Sequence, residues 1–467
     1  MTRRLQRGLA PVAGTLLVVA AVLGTTWPLP LHFSTHIPGD IDALFGAWRL
    51  AWVAEALRHS PASLFDAPIF HPHRLTLAYS DSILLSGALT APFAYLNASP
   101  VSVFNIFVLF SIAAAGLAAM YLAYTLTGSW AAGALAGIIY SLNPHRMEHL
   151  ERIELLTTAA VPAFFALWHR AAATHSRSLA ILAGTALFAQ WYSGMYIGLF
   201  LACVAPLVLL DLLWVDRPAR LRLAAALLGG MLISAVVIGP SVLPYLEARA
   251  ELGERGLVEV SRYSAELRNF IAVHPRNWLY GGVLSGYGSA ERYLFPGLAA
   301  SLLGLAGLLF SGWRIRVVYV AIGLAALLLA LGTNTPVFDA VREWVSPFRS
   351  IRAPVRAADI VMLAIAVFAA VGFARLFRSA RSSSTAALAA ALACVLVAEY
   401  RMVPNVWTVK PSNPMLARSL GIDKGSVLLE FPVARPDRLD INYDAHYMFD
   451  RVLLWPRLIN GYSGNYP

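Results

Sequence analysis

The stretch HIPGDID, residues 36–42, places two carboxylates directly after the first long apolar segment of the chain. Asp40 and Asp42 stand beside a Pro-Gly pair and ahead of residues 43–57, where apolar and aromatic residues recur at helical spacing. A carboxylate needs water or a polar partner, because burying an unpaired charge is costly. The position of these two acids relative to a membrane therefore decides which chemistry the chain can perform.

The composition identifies the class of protein. Of the 467 residues, 58% are hydrophobic and only 13% are charged, and the mean hydropathy is +0.63. Soluble domains carry about a quarter charged residues, whereas apolar runs of about 20 residues match a membrane-spanning helix. We therefore predict an all-α polytopic membrane protein. Its net charge of +10 is explained by arginines in cytoplasmic loops, so no nucleic-acid partner is expected.

Apolar runs predict about eleven membrane-spanning helices. Arginines are concentrated in alternate connecting segments, which is typical of cytoplasmic loops. This bias predicts a multi-pass protein of the plasma (inner) membrane with its N-terminus in the cytoplasm and its C-terminus outside. The predicted spans are residues 11–31, 101–126, 130–142, 155–169, 178–192, 195–214, 223–246, 293–311, 316–332, 357–377 and 385–402.

Two regions are distinguished along the chain. Residues 1–402 form a predicted transmembrane domain. Its predicted external loop 32–100 carries a predicted interfacial helix at 43–57 and a second helix, interfacial or re-entrant, at 83–96. Residues 403–467 form a predicted external segment. A strand is predicted at 426–432, so we interpret this segment as a small α/β tail that corresponds to a shortened soluble domain.

Asp40 and Asp42 are the first candidates for chemistry. On an external loop, either carboxylate would be placed to accept a proton from an acceptor hydroxyl as a general base. The alternative is purely structural, since acids favour the first turn of a helix. The residues alone leave these two interpretations balanced.

A second candidate lies in the predicted external segment 143–154. His145 and His149 are four residues apart and would share one face of a helix, as metal ligands do. Arg146 carries a planar fork of donors that suits a phosphate. The alternative is a solvated segment with an internal ion pair between Glu148 and Arg152. We favour a substrate-facing loop over metal binding, and assign no metal ligand.

A third candidate is the basic stretch 347–356. Arg349, Arg352 and Arg356 lie on the predicted outer side, against the general charge bias, and the phosphate of a lipid carrier would account for them. The alternative is snorkelling of long side chains at the membrane surface. Ionisable residues are nearly absent from the predicted span centres, which argues against an ion-coupled transporter.

Six stretches spread over most of the chain carry a family resemblance: 39–42, 70–81, 140–146, 295–297, 349–356 and 460–464. Together they resemble the type C (GT-C) glycosyltransferase superfamily, and within it a bacterial group of multi-span membrane proteins. In that superfamily an aspartate on the first external loop is the catalytic base. By position this corresponds to Asp40, with Asp42 as its substitute or partner, and Asp81 is added as a substrate contact.

The resemblance implies a membrane glycosyltransferase that moves a sugar from a polyprenyl-phosphate-linked donor to a glycan, lipid or protein acceptor. Membrane lipids are the other expected partners. No cofactor is assigned, and dependence on a divalent metal stays open. Two other functions also stay open: a non-catalytic scaffold that handles lipids or polymers, and a transporter or flippase. Relatives continue beyond the closing stretch into a longer external domain, so the tail is interpreted as shortened.

Overall fold

A computed structural model describes residues 2–403, 405–409, 419, 421–433 and 443–467. Most of these residues are helical, as the apolar runs predict. Eleven apolar helices coincide with the eleven predicted spans: α1 (Thr2–Thr25), α4 (Pro100–Thr127), α5 (Trp130–Leu142), α8 (Ala160–Thr174), α9 (Arg177–Ser193), α10 (Met195–Val204, continued by the 3-10 helix Ala205–Trp214), α11 (Arg217–Leu252), α14 (Leu298–Phe310), α15 (Trp313–Ala330), α17 (Ala358–Leu376) and α18 (Ser382–Tyr400).

Among the described residues, seven segments are long and apolar enough to cross a membrane. The other four helices have 13 to 17 residues. A helix of 13 residues is only about 20 Å long, against roughly 30 Å of hydrocarbon. The structure thus supports a multi-pass protein, while the count of eleven spans stays a prediction. The seven segments are Gly8–Thr25, Pro100–Thr127, Met195–Trp214, Arg217–Leu252, Trp313–Ala330, Pro354–Leu376 and Ser383–Tyr400.

Shorter helices connect these segments. The remaining helices are α2 (Ile41–His59), α3 (Leu84–Tyr95), α6 (Pro144–Glu148), α7 (Ile153–Leu156), α12 (Leu257–Arg262), α13 (Gly281–Leu284), α16 (Pro336–Trp344) and α19 (Asp444–Asp450). In the described part of the chain, four short strands form two pairs. They are β1 (His36–Pro38), antiparallel to β2 (Val406–Thr408), and β3 (Val427–Leu428), parallel to β4 (Arg457–Leu458).

Glycines bring two helix pairs into close contact. An added Cβ at Gly307 of α14 would collide with the carbonyl oxygen of Phe368 in α17, and one at Gly372 with the carbonyl oxygen of Leu303. An added Cβ at Gly137 of α5 would likewise collide with the backbone of α4. Because membrane helices gain little from the hydrophobic effect, close backbone approach through small residues is a main source of their association.

Helix α2 begins and ends where the sequence predicts, but its surroundings differ from an interfacial helix. Trp48 and Trp52 are buried, and both pack against Trp455 at ring distances of 5.8 and 5.3 Å. Helix α2 also packs against α3, α4 and α19. The aromatic side that the sequence assigns to the membrane surface is therefore covered by protein.

The described part of the tail packs on the loop 32–100. Strand β2 pairs with β1, and α19 packs on α2. The strand predicted at 426–432 is confirmed only for Val427–Leu428. Residues 404, 410–418, 420 and 434–442 of the predicted tail lie outside the described residues. The division into a domain of residues 1–402 and a tail remains a prediction.

Candidate active site

A cavity of about 570 Å³ lies between the start of α2, the C-terminal part of α11, α12, the basic stretch 347–356 and residues 462–466. This volume is within the usual range for small-molecule sites. Four of the nine predicted site residues line the cavity: Asp42, Asp81, Arg352 and Arg356. The cavity therefore brings two acids of the loop 32–100 together with two arginines that lie about 300 positions later in the sequence.

Asp42 is held by two partners. Arg152 donates from Nε to Oδ2 at 2.8 Å, and the Tyr462 hydroxyl donates to Oδ1 at 2.6 Å. Burial acts to raise the pKa of Asp42, but the charge of Arg152 and the hydrogen bond from Tyr462 outweigh it and hold the pKa below its usual value. Its place in the first turn of α2 also favours the charged form. Asp42 is thus an oriented carboxylate.

Asp40 lies apart from Asp42. It is not among the described residues that line the cavity. Its Oδ1 is 3.2 Å from Nε2 of His446, and its side chain is 38% exposed. Asp40 occupies the N-cap position of α2, yet its side chain makes no capping hydrogen bond within the described part of the chain. The two neighbouring acids consequently face different surroundings, although the sequence treats them as a pair.

Glu291 organises the arginines beside Asp42. Arg356 donates to both of its carboxylate oxygens, at 2.9 and 2.8 Å, and Arg152 bonds the same carboxylate while holding Asp42. Burial acts to raise the pKa of Glu291, but Arg356 and Arg152 hold it well below its usual value. Glu291 was not predicted from the sequence, because a single acid in a loop of mixed charge carries no distinctive pattern.

Arg352 is the least committed of the predicted arginines in the cavity. Its contacts to Glu259 and Glu291 are both 3.9 Å, and its guanidinium lies 5.1 Å from the ring centre of Tyr263. Its side chain is 26% exposed. Arg356, in contrast, is buried against Glu291 and the ring of Tyr196. Arg352 therefore keeps donors available to an anion that enters the cavity.

Asp81 lies on the wall of the same cavity. Its Oδ1 accepts backbone N–H bonds from Met195 and Ser82, at 2.6 and 2.7 Å. Its Oδ2 is buried without a hydrogen-bond partner among the described residues. Burial and the nearby charge of Glu154 raise the pKa of Asp81 to about 7. Glu154 itself forms an ion pair with Arg49 at 2.8 Å.

Arg146 is not brought to the cavity. Its guanidinium donates to Thr158 Oγ1 and to the carbonyl oxygen of Leu156, both at 2.7 Å, and to the carbonyl oxygen of Ser141 at 3.3 Å. The carboxylate of Asp359 lies 3.6 Å away. The side chain is almost fully buried. In this arrangement its donors are occupied by protein groups, which leaves none for the phosphate that the sequence suggests.

The other predicted contacts are also separate from the cavity. Arg349 pairs with Glu254 at 3.5 Å and donates to carbonyl oxygens of α16. It is not among the described residues that line the cavity. His145 and His149 are buried beside one another, with ring centres 4.9 Å apart, and neither is among the described lining residues.

Several cavity residues were missed by the sequence analysis. Tyr462 had a signal, because it lies in the stretch 460–464 that carries the family resemblance. Arg152 was considered only as the partner of Glu148, whereas the structure joins it to Asp42 and Glu291. The sequence alone does not show which residues that lie far apart along the chain are in contact.

Solved structures of other proteins share this architecture. Arabinofuranosyltransferase AftD from Mycobacteria matches 93% of this chain and 31% of its own length, with 15% identity and a TM-score of 0.52. The oligosaccharyltransferase of Archaeoglobus fulgidus in its apo form matches 97% of this chain and 64% of its own, with 13% identity and a TM-score of 0.51. The same archaeal enzyme, AglB, with an inhibitory peptide and a dolichol-phosphate, gives 11% identity and a TM-score of 0.50.

This chain thus spans about a third of the length of AftD and just under two thirds of that of AglB. No protein-family model and no curated protein sequence matches it. At these identities the likeness is one of fold. The fold that the resemblance implied is confirmed: the chain has the GT-C fold that these solved structures share.

Proposed function

We propose that this protein is a membrane glycosyltransferase that moves a sugar from a polyprenyl-phosphate donor to an acceptor at the outer face of the plasma membrane. One observation carries the proposal: a single cavity holds the oriented carboxylate of Asp42 together with Arg352, whose donors remain available. Support also comes from the proteins of the same fold, which are an arabinofuranosyltransferase and an oligosaccharyltransferase. One of those structures contains a dolichol-phosphate.

Asp42 is the proposed general base, and Asp40 is not. The acceptor hydroxyl attacks the anomeric carbon while its proton passes to a carboxylate oxygen of Asp42. The bond between the anomeric carbon and the phosphate oxygen breaks with its electron pair remaining on the phosphate. The products are the glycosylated acceptor and the lipid phosphate. A single displacement of this kind inverts the anomeric centre.

The arginines have different parts in this proposal. Negative charge grows on the leaving phosphate, and a preorganised cation stabilises such charge most effectively in a site shielded from water. Arg352 is placed for that contact because its ion pairs with protein groups are long. Arg152 and Arg356 are bound to Glu291 and orient Asp42 and the cavity wall. Asp81 is the proposed contact for a sugar hydroxyl.

The two acids of the first loop provide the test. A comparison of glycans from wild-type and deletion cells names the missing sugar, and complementation with variants then measures its restoration. We expect Asp42→Asn to lower transfer by about 10²- to 10⁴-fold, the usual contribution of a general base. Asp40→Asn is the matched control, and we expect it to retain transfer, because Asp40 lies outside the cavity lining.

Protein amount and thermal stability of both variants are measured in the same membranes. Full transfer by Asp42→Asn would contradict the assignment of the base. A deletion strain with an unchanged glycan profile and unchanged lipid-linked sugars would contradict the proposed activity. Donor binding by the wild-type protein without any turnover would indicate the non-catalytic scaffold instead.

A further inference from the structure

Three potential metal ligands come together in the segment that links α5 to α7. His145, Glu148 and His149 each offer a ligand atom, and these atoms lie within 4.8 Å of one another. Positions i, i+3 and i+4 share one face of a helical turn, which brings the three side chains to one side of α6. None of the three is among the described residues that line the large cavity.

The polar atoms of this cluster lack partners. Nδ1 of His145, Oε2 of Glu148 and Nε2 of His149 have no hydrogen-bond partner among the described residues. Both histidines are at least nine-tenths buried, with exposures of 2% and 4%. Buried polar groups in native proteins are nearly always paired, because an unpaired one loses the hydrogen bonds of water. Three unpaired atoms side by side therefore call for a common partner.

The donor atoms suit a transition-metal cation, because imidazole nitrogen and carboxylate oxygen are both ligands of such ions in proteins.

We propose that His145, Glu148 and His149 bind one divalent transition-metal ion, with Zn²⁺ the best match to two imidazole nitrogens and one carboxylate oxygen. Magnesium and calcium are disfavoured because they prefer sites made entirely of oxygen ligands. At Zn–N distances of about 2.0–2.1 Å the ligand atoms would approach to roughly 3.3 Å of one another. Small rotations of three side chains on one turn bridge the difference from 4.8 Å.

The site has a supporting hydrogen bond that connects it to the cavity. Oε1 of Glu148 accepts the backbone N–H of Glu291 at 2.9 Å, which leaves Oε2 for the ion. Glu291 in turn binds Arg152 and Arg356. An ion at this place would fix Glu148 and, through Glu291, the arginines beside Asp42. Its proposed role is to position the cavity wall, so the site does not depend on the proposed transferase activity.

Metal content tests the proposal directly. The purified full chain is stripped with a chelator, loaded with Zn²⁺, desalted and analysed for metal and protein. We expect about one equivalent per wild-type chain and less than a tenth of that in the double variant H145Q/H149Q. Its matched control is H71Q/H73Q, which removes two histidines outside the cluster and should bind zinc like the wild type. We expect the milder variant Glu148→Gln to raise the zinc Kd at least 10- to 100-fold, the range for weaker perturbations of metal sites.

Two further measurements keep the result decisive if the double variant fails to fold. Cobalt loading of the wild type should give the visible absorption of a tetrahedral nitrogen and oxygen site, and Zn²⁺ should raise its thermal midpoint. Three results would each overturn the proposal. They are a wild-type protein that binds neither zinc nor cobalt, a folded H145Q/H149Q variant that still binds one equivalent of zinc, and a wild-type preference for Mg²⁺ over Zn²⁺.

Discussion

Asp42 and Asp81 lie in the same cavity, yet their pKa values shift in opposite directions because their partners differ. Asp42 receives a charged donor and a phenol, which stabilise its anion. Asp81 receives two neutral backbone donors on one oxygen and faces Glu154 across a buried region. At neutral pH the carboxyl group of Asp42 is therefore ionised, whereas that of Asp81 is partly protonated.

The pH dependence of transfer separates these two acids. A base works only when deprotonated, so activity rises as the pH rises through its pKa. The pKa of Asp42 lies below its usual value, so we expect kcat/KM to be independent of protonation of the base between about pH 6 and 9. The measurement is a pH profile of kcat and of kcat/KM for the wild type and Asp81→Asn.

A rise in kcat with an apparent pKa near 7, lost together with most of kcat in Asp81→Asn, would transfer the role of base from Asp42 to Asp81. A flat kcat profile, combined with a raised KM and a nearly unchanged kcat in Asp81→Asn, would agree with Asp81 as a sugar contact. Because both acids line one cavity, each result is a direct comparison within one site.

At the scale of elements, close helix contacts depend on a few glycines. Helices α14 and α17 approach so closely that Gly307 and Gly372 each face backbone atoms of the other helix. At these glycines the two helix backbones contact each other directly, in place of contacts between larger side chains. Because dispersion at short range is a main attraction between helices in lipid, this close approach stabilises the helix pair. These positions fix the relative placement of α17, which begins directly after the basic stretch.

Gly307→Ala tests this contact. The added methyl group would collide with the carbonyl oxygen of Phe368, so we expect a loss of about 1–3 kcal/mol in the free energy of unfolding, typical of overpacking. Gly229→Ala is the matched control, because nothing lies within 4 Å of its added Cβ in α11. Thermal unfolding in detergent measures both. Equal midpoints for the two variants would contradict the proposed packing role.

The elements themselves were largely predictable, and their contacts were not. Length and hydropathy located the seven segments of the described residues that are long enough to cross a membrane, because a span must be long and apolar whatever it packs against. The same information misplaced the aromatic side of α2. Trp48 and Trp52 suit a membrane surface and a protein core equally well, and only the distant Trp455 decides between them.

Residues of the candidate site could be predicted only where their type is rare in the chain. Asp42, Asp81, Arg352 and Arg356 were found because charges are rare in this chain and these lie on its predicted outer side. Arg146 shows the limit. Its guanidinium suits a phosphate, but carbonyl oxygens of a nearby turn satisfy it equally well. Sequence alone does not tell which partner a donor meets.

For the whole molecule, orientation is the property on which the proposed reaction depends. The arginine bias predicts that α12 lies outside and that the segment between α8 and α9 lies in the cytoplasm. Single cysteines at Ser261 and Ser178, in a chain with Cys203 and Cys394 replaced by alanine, test this. We expect a membrane-impermeant maleimide to label S261C on intact cells and S178C only after lysis.

Both positions are exposed in the structure, so a difference in labelling reports their side of the membrane rather than their burial. The parent chain without cysteines is the background control. Labelling of S178C on intact cells, with S261C protected, would reverse the topology and move the proposed transfer to the cytoplasmic face.

The hydrogen bond between Tyr462 and Asp42 joins residues 420 positions apart. At about 5–20 residues per second, a ribosome needs roughly 20 to 80 s to cover that distance. Throughout this interval Asp42 and Arg152 are already present, whereas Tyr462 is still missing. The cavity lacks part of its lining until residues 462–466 are made, and a prematurely terminated chain would hold Asp42 by Arg152 alone.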